Sequence, residues 1–252
     1  MAVKELRNGN RIVGTMVRMV RNAGIAQIAA EGNLDFIMLD MEHGPFSMET
    51  FSDIAKVARS IGIGIFARVP ELSRGYVSRI MDAGADGVMV PMVGSQAEAE
   101  ALASWARYAP IGNRGLGSAG VSTCFAGLGN DVQAFMAAQN ESTLAIAQIE
   151  TKEGIENIDA IAGVEGIDVL LVGPNDLSIS LGVPGELMGD TVQEAIEKVA
   201  QAAEKHGKVF AMHAGPALLD KWIPRGMQMV MESLDINVLK SGFSAIATKY
   251  KA

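Results

Sequence analysis

The sequence predicts a single (β/α)8 barrel spanning all 252 residues. Two observations carry that expectation. Eight short, almost continuously apolar runs recur along the chain, the pattern of strands buried on both faces. Amphipathic stretches with helix start and stop residues separate them, at a spacing that makes parallel βαβ units. About 250 residues is also the usual size of such a barrel. An open doubly wound sheet is the alternative. It would want a Gly-rich phosphate turn after its first strand, and Gly14-Thr-Met-Val-Arg-Met supplies none.

The apolar runs are 12–17, 36–41, 64–69, 87–93, 144–149, 169–173, 209–213 and 228–233. Ser47 is the expected N-cap of a helix that Gly62 ends. Ser95 opens a second helix, over 97–108, stopped at Pro110. Asp190 opens a third, over 191–206, closed by Gly207, and 151–161 reads as a fourth. Segment 109–130 breaks the rhythm, with six glycines and no periodicity. A loop of that length in a compact domain is usually functional or disordered. The last helix, 236–250, carries an apolar face of Ile236, Leu239, Phe243 and Ile246. That face either closes the barrel or packs on a neighbouring subunit. No repeat, linker or low-complexity tract divides the chain, so one domain is expected.

The formal net charge is −8, with no Lys/Arg cluster. Duplex binding needs a basic face to displace phosphate counterions, so nucleic acid is not an expected partner. Aromatics are 5% of residues, too few for a surface built on stacking. The first ten residues are charged and lack the apolar core of a signal peptide, and no apolar run is long enough to cross a bilayer. A single cysteine, Cys124, excludes an intrachain disulfide and fits the cytoplasm.

In such a barrel the chemistry sits where the strands end. Strand two ends Asp40-Met-Glu42-His43, strand three Arg68, strand four Pro91 and strand five Gln148-Ile-Glu150. Strand six ends Gly173-Pro174-Asn175-Asp176, strand seven His213, and strand eight Glu232-Ser233. Polar groups at the same end of nearly every strand form a ring. Glu150 and Asp176 come from consecutive strands, so their carboxylates can converge. Two carboxylates, with water and an oxygen-rich substrate completing the shell, suit Mg2+ or Mn2+. The alternative is that each acid only complements the dipole of the helix that follows. Arg68 is placed either to hold a carbonyl or enolate oxygen, or to pair with Glu42 or Glu71. His43 can serve as a base near neutral pH. His206, at a helix C-terminus, reads as a cap.

Leu39-Asp-Met-Glu-His-Gly-Pro, Ala67-Arg-Val-Pro, Arg114-Gly-Leu-Gly, Gln148-Ile-Glu-Thr and Gly173-Pro-Asn-Asp-Leu-Ser resemble, in order, the blocks of the HpcH/HpaI aldolase family. These are metal-dependent class II aldolases acting on 4-hydroxy-2-oxo acids, including 2-keto-3-deoxy sugar acids. The resemblance covers the chain from about Gly14 to Leu239. It implies a barrel of the phosphoenolpyruvate/pyruvate type, often a homo-oligomer (hexamer or trimer) with a swapped final helix. It implies that Glu150 and Asp176 bind Mg2+, Mn2+ or Co2+, and that Arg68 stabilises a pyruvate enolate formed at that metal. His43, supported by Asp82 in Ile80-Met-Asp-Ala-Gly-Ala, would be the base, directly or through water. Gln148 would lie beside the metal, and backbone amides around Pro174–Asp176 would receive the pyruvate carboxylate, with Gly173 and Asn175 in the same turn. Arg114 and Ser118 of the long loop would bind a distal carboxylate or phosphate, unless the loop makes a subunit contact. No Schiff-base lysine is needed, and none falls at an expected strand end. Asn175 departs from the commoner family pattern in the carboxylate pocket, and Met212-His-Ala-Gly-Pro departs from it on the side that faces the aldehyde. Two alternatives stand beside this reading: an acyl-CoA lyase of the citrate-lyase β or malyl-CoA type, and a non-catalytic barrel that binds an oxo acid.

Overall fold

The structure, a computed structural model, describes residues 2–251. Helix α1 (Ala2–Arg7) comes first, followed by strand β1 (Ile12–Val17), α2 (Gly24–Glu31), β2 (Phe36–Asp40), α3 (Met48–Ile61), β3 (Gly64–Arg68), α4 (Arg74–Asp82) and β4 (Gly87–Val90). Then come α5 (Gln96–Ala106), α6 (Val132–Ser142), β5 (Leu144–Ile149), α7 (Lys152–Glu156), α8 (Ile158–Ala162), β6 (Val169–Val172) and α9 (Pro174–Ser180). The chain ends with α10 (Asp190–His206), β7 (Val209–Ala214), α11 (Pro216–Trp222), β8 (Met229–Leu234) and α12 (Asp235–Lys251). The eight strands pair in parallel, in sequence order, and β8 closes on β1. This is the expected (β/α)8 barrel.

Side chains alternate across each strand, and two cores result. Outward residues such as Ile37, Ile65, Val88 and Leu170 pack under the helices. Inward residues fill the barrel: Ile12, Met16, Met38, Phe66, Met89, Ile146, Leu171, Met229 and Met231. Helix α1 plugs the mouth at the strand starts with Ala2, Val3 and Leu6, which join this inner core. At the same end Asp168 accepts the Ala145 amide at 2.7 Å and pairs with Arg7 and Arg107, tying strand starts together.

The helix boundaries follow local chemistry. Ser47 accepts the Thr50 amide, and Gly62 ends α3 at a left-handed φ of 80°. Ser95 and Glu98 form a reciprocal capping box on α5. In α10, Val192, Ala195, Ile196, Val199, Ala202 and Ala203 make one buried stripe. Two expectations need correction. Strand four stops at Val90, because Met92 turns into the left-handed region at φ 57°. The helix expected over 151–161 is two short ones, broken at Asn157, whose side chain donates to the Gly94 carbonyl. The long loop ends in α6, capped by Asp131.

Helix α12 touches mainly β1 and β8. Val238, Phe243, Ile246 and Tyr250 are 58–73% exposed. Of the two placements open from sequence, closing the barrel is therefore not the one adopted.

Candidate active site

Continuing the alternation one step past the inner core puts Arg18, Asp40, Arg68, Gln148, Glu150, Gly173 and His213 on the inward face at the strand ends. The polar ring expected from sequence is thus formed by side chains that share one parity. Asp40 is its centre. The carboxylate is fully buried and receives Arg68 in a fork, Nε to Oδ1 at 3.0 Å and Nη2 to Oδ2 at 2.7 Å. Arg18 Nε adds a bond to Oδ2 at 2.8 Å. Oδ1 also accepts the Glu42 and His43 amides, each at 3.2 Å, so Asp40 shapes the turn that carries His43. Burial works to raise the Asp40 pKa, but the Arg68 bonds and charge, with Arg18, hold it below the usual carboxylate range.

Arg68 is buried, and its Nη1 reaches Glu42 at 2.9 Å as a close ion pair. Glu71, the other partner considered from sequence, is not one of its ion-pair partners. The pairing does not exhaust the five donors of the guanidinium. His43 stands at the rim with its side chain 52% exposed, its Nε2 3.9 Å from Glu42.

Glu150 is 2% exposed. Its Oε1 accepts the Met92 amide at 3.0 Å, and Gln148 Nε2 donates to Oε2. Met92 is an unbranched residue held at positive φ, and that conformation turns its N–H onto the acid. Burial and the neighbouring charge of Asp176 raise the Glu150 pKa to about 7, against the Met92 bond and the Arg68 charge. Asp176 lies in the first turn of α9, exposed to solvent. Gly173 lets Glu150 fit: a Cβ there would sit 2.2 Å from Glu150 Oε2 and 2.8 Å from Gln148 Nε2. Gln148 Oε1 is buried without a hydrogen-bond partner.

This pair fits a divalent metal. Two repelling hard-oxygen donors, one of them buried with a raised pKa, are what an added cation would relieve. No group of three or more His, Cys, Asp or Glu side chains converges among the described residues, so two protein ligands would leave most of the coordination shell to substrate.

Asp82 lies away from the ring. The chain reaches the strand ends along β3 and returns along α4, so Asp82, the last residue of α4, lies near the strand starts. There it pairs with Arg114 at 2.6 Å. Within one chain it cannot support His43. Ser118 is exposed in the same loop, between Gly115 beside Arg74 and Gly120 beside Asp82, outside the ring. Sequence reasoning gave no role to Arg18, Asp40 or Asp235. Parity within the strand marks the first two. Asp235 is buried and accepts the amides of Arg18, Met19 and Val20 at 2.7–3.0 Å, fixing the loop that presents Arg18.

Comparison with known proteins gives the family. The family described as HpcH/HpaI aldolase/citrate lyase matches residues 18–239. A 2-keto-3-deoxy-L-rhamnonate aldolase of Salmonella gallinarum is 30% identical over 248 residues, 98% of this chain and 91% of that protein. A hydroxypyruvate/pyruvate aldolase of Roseobacter denitrificans is 29% identical over 250 residues, covering 98% and 96%. The crystal structure of an HpcH/HpaI aldolase from Desulfitobacterium hafniense DCB-2 superposes with a TM-score of 0.93 at 32% identity, over 98% of this chain and 95% of that one. The match spans the barrel and the strand-end ring together: the chain belongs to the HpcH/HpaI aldolase/citrate lyase family, and it is a carbon–carbon lyase of the aldolase kind.

Proposed function

We propose that the protein cleaves a 4-hydroxy-2-oxo acid reversibly into pyruvate and an aldehyde, with a divalent metal held by Glu150 and Asp176. The observation that carries this is the buried Glu150 carboxylate, set against Asp176 and short of positive charge. Oxygen-only donors favour Mg2+ or Mn2+, and the family resemblance adds Co2+. When bound, the metal supplies a positive charge that polarises the keto oxygen of the substrate.

The chain's own groups do the rest. Arg68, locked by Asp40, holds the negative charge that develops on the keto oxygen as the C3–C4 bond breaks, or as a methyl proton leaves pyruvate. Its position is fixed before substrate arrives, so no reorganisation is needed. His43, on the turn shaped by Asp40, takes the 4-hydroxyl proton in cleavage, directly or through water, and gives it to the enolate carbon to complete pyruvate; in the reverse direction it removes the methyl proton and delivers it to the new 4-oxygen. The turn Gly173, Pro174, Asn175, Asp176 opens α9, and its free first-turn amides receive the pyruvate carboxylate. Gln148 holds Glu150 and turns its unpaired Oε1 toward the same space.

Asp82 can support His43 only from a neighbouring subunit, and the same holds for Arg114 and Ser118 as substrate contacts. The exposed apolar face of α12 supports such an assembly, a trimer or hexamer. The exposed, unpaired Cys124 suits a reducing cytoplasm. Among the described residues no helix is long and apolar enough to cross a membrane.

The test is pyruvate release from a 4-hydroxy-2-oxo acid, followed with lactate dehydrogenase, with and without EDTA. Activity should vanish with EDTA and return with Mn2+ or Mg2+. Activity that survives EDTA and is trapped by borohydride overturns the reading.

A further inference from the structure

His213 is the ring member that the mechanism above does not use. It points inward from the end of β7, half-buried, one strand from the Gly173–Asp176 turn. Its Nε2 lies 3.0 Å from the carbonyl oxygen of Ser233. A carbonyl only accepts, so Nε2 carries the hydrogen. In the neutral ring Nδ1 then presents a lone pair. Burial pushes the imidazolium pKa down, against the Ser233 bond, and the charges of Arg68 and Arg18 push it the same way. The ring is therefore a neutral acceptor at physiological pH. No described residue hydrogen-bonds Nδ1. His213 lines a cleft of about 340 Å³ at the rim, with Asn175, Glu232, Ser233 and Asn237. Asn175 is the residue before Asp176, so the cleft borders the turn that carries Asp176. Among its polar side chains, the carboxylate of Glu232 only accepts, the hydroxyl of Ser233 and the amides of Asn175 and Asn237 give and take, and no cation lines it.

We propose that His213 is a specificity-determining residue: its Nδ1 accepts a hydrogen bond from a hydroxyl of the aldehyde half, so the enzyme favours neutral hydroxyaldehydes over deoxy ones and over those ending in a carboxylate. The inference rests on the aldolase reading and sharpens its acceptor. A lining with two fixed acceptors and no cation matches hydroxyl donors and opposes an anionic tail. Rejection of the deoxy analogue follows because it leaves the acceptor without its partner.

Two substitutions separate this role from a structural one. In His213→Gln the amide can still donate to Ser233 but puts no acceptor at the Nδ1 position. In His213→Asn the side-chain oxygen takes the place of Nδ1 and the Ser233 bond is lost. The assay compares kcat/KM for glycolaldehyde and acetaldehyde in metal-loaded aldol addition to pyruvate. Exchange of the pyruvate methyl protons with D2O, without aldehyde, is measured alongside. Wild type should prefer glycolaldehyde, and His213→Gln should lower that ratio by about tenfold or more, the worth of one hydrogen bond. His213→Asn should keep most of it, and proton exchange should stay within about twofold in both variants. A ratio unchanged in His213→Gln, or lost equally in both variants, overturns the proposal. So does a wild-type enzyme without preference, which needs no variant to fold. Failure of wild type to exchange pyruvate protons would instead overturn the aldolase reading itself.

Discussion

Replacing Glu150 with Gln should stabilise the metal-free protein while abolishing its activity. In the folded chain the Glu150 pKa stands at about 7, against 4.5 as its ordinary value. Each unit of difference is worth about 1.4 kcal/mol, so the ionised carboxylate costs about 3 kcal/mol above pH 7. The side chain is 2% exposed, and solvent screening does little to reduce this. The sign is that of an acid raised on folding. Below pH 4.5 the carboxyl is protonated both folded and unfolded, and no difference arises. Between pH 4.5 and 7 the unfolded chain ionises first and the wild type loses stability; above 7 the deficit is constant. The neutral amide of the variant escapes it. Its oxygen still accepts the Met92 amide, and Gln148 can flip its unpaired Oε1 toward the new NH2. Thermal unfolding in EDTA at pH 8 should therefore show Glu150→Gln higher in Tm by about 6–12 °C, as expected for a chain of this size. At pH 5 the gap should shrink to about 1 kcal/mol or less. Mn2+ should raise the wild type only. A variant no more stable at pH 8, or a gap that does not grow with pH, would refute the picture of a repelling pair awaiting a cation.

Gly173→Ala places a Cβ 2.2 Å from Glu150 Oε2 and should weaken metal binding by about tenfold or more with an unchanged circular dichroism spectrum; titration calorimetry with Mn2+ reads it. Arg68→Ala removes the oxyanion donor, costing about 100-fold or more in kcat, and strands the buried Asp40, costing about 3–5 kcal/mol in urea unfolding. His206→Ala, which loses only a surface contact to Asp159, should change kcat by less than about twofold. Mixing inactive His43→Ala and Asp82→Ala proteins through a cycle of dissociation should restore activity at about a quarter of the sites, where each neighbour supplies the missing group. Mixtures that stay inactive would remove Asp82 from the mechanism.

What could be read from the sequence was what depends on local pattern. Apolar continuity located all eight strands to within about three residues, and Ser47, Ser95, Gly62 and Gly207 marked helix ends through their own backbone chemistry. Strand-end polarity found Arg68, Gln148, Glu150 and Asp176. What escaped depends on three-dimensional neighbours. Arg18 and Asp40 matter because they meet Arg68 across strands, and strand pairing is not encoded in spacing along the chain. Asp82 sits in a recognisable motif, yet only the return path of α4 reveals that it stands at the opposite mouth. Helix α1 is six residues long, too short for periodicity, and its apolar face makes sense only against an open barrel mouth.

The inner core beneath the ring has a consequence for how this enzyme changes over generations. Met16, Met38, Met89, Met229 and Met231 supply much of it, and Met16 Sδ lies 3.9 Å from Arg68 Nη2 and 4.0 Å from Arg18 Nη2. Unbranched thioethers fill irregular space and adjust to what rests on them. A rigid bed of branched side chains would make each exchange in the layer above a repacking problem. On a pliant bed, the layer above, with positions such as Asn175 or His213 at its rim, can drift while the barrel keeps its shape.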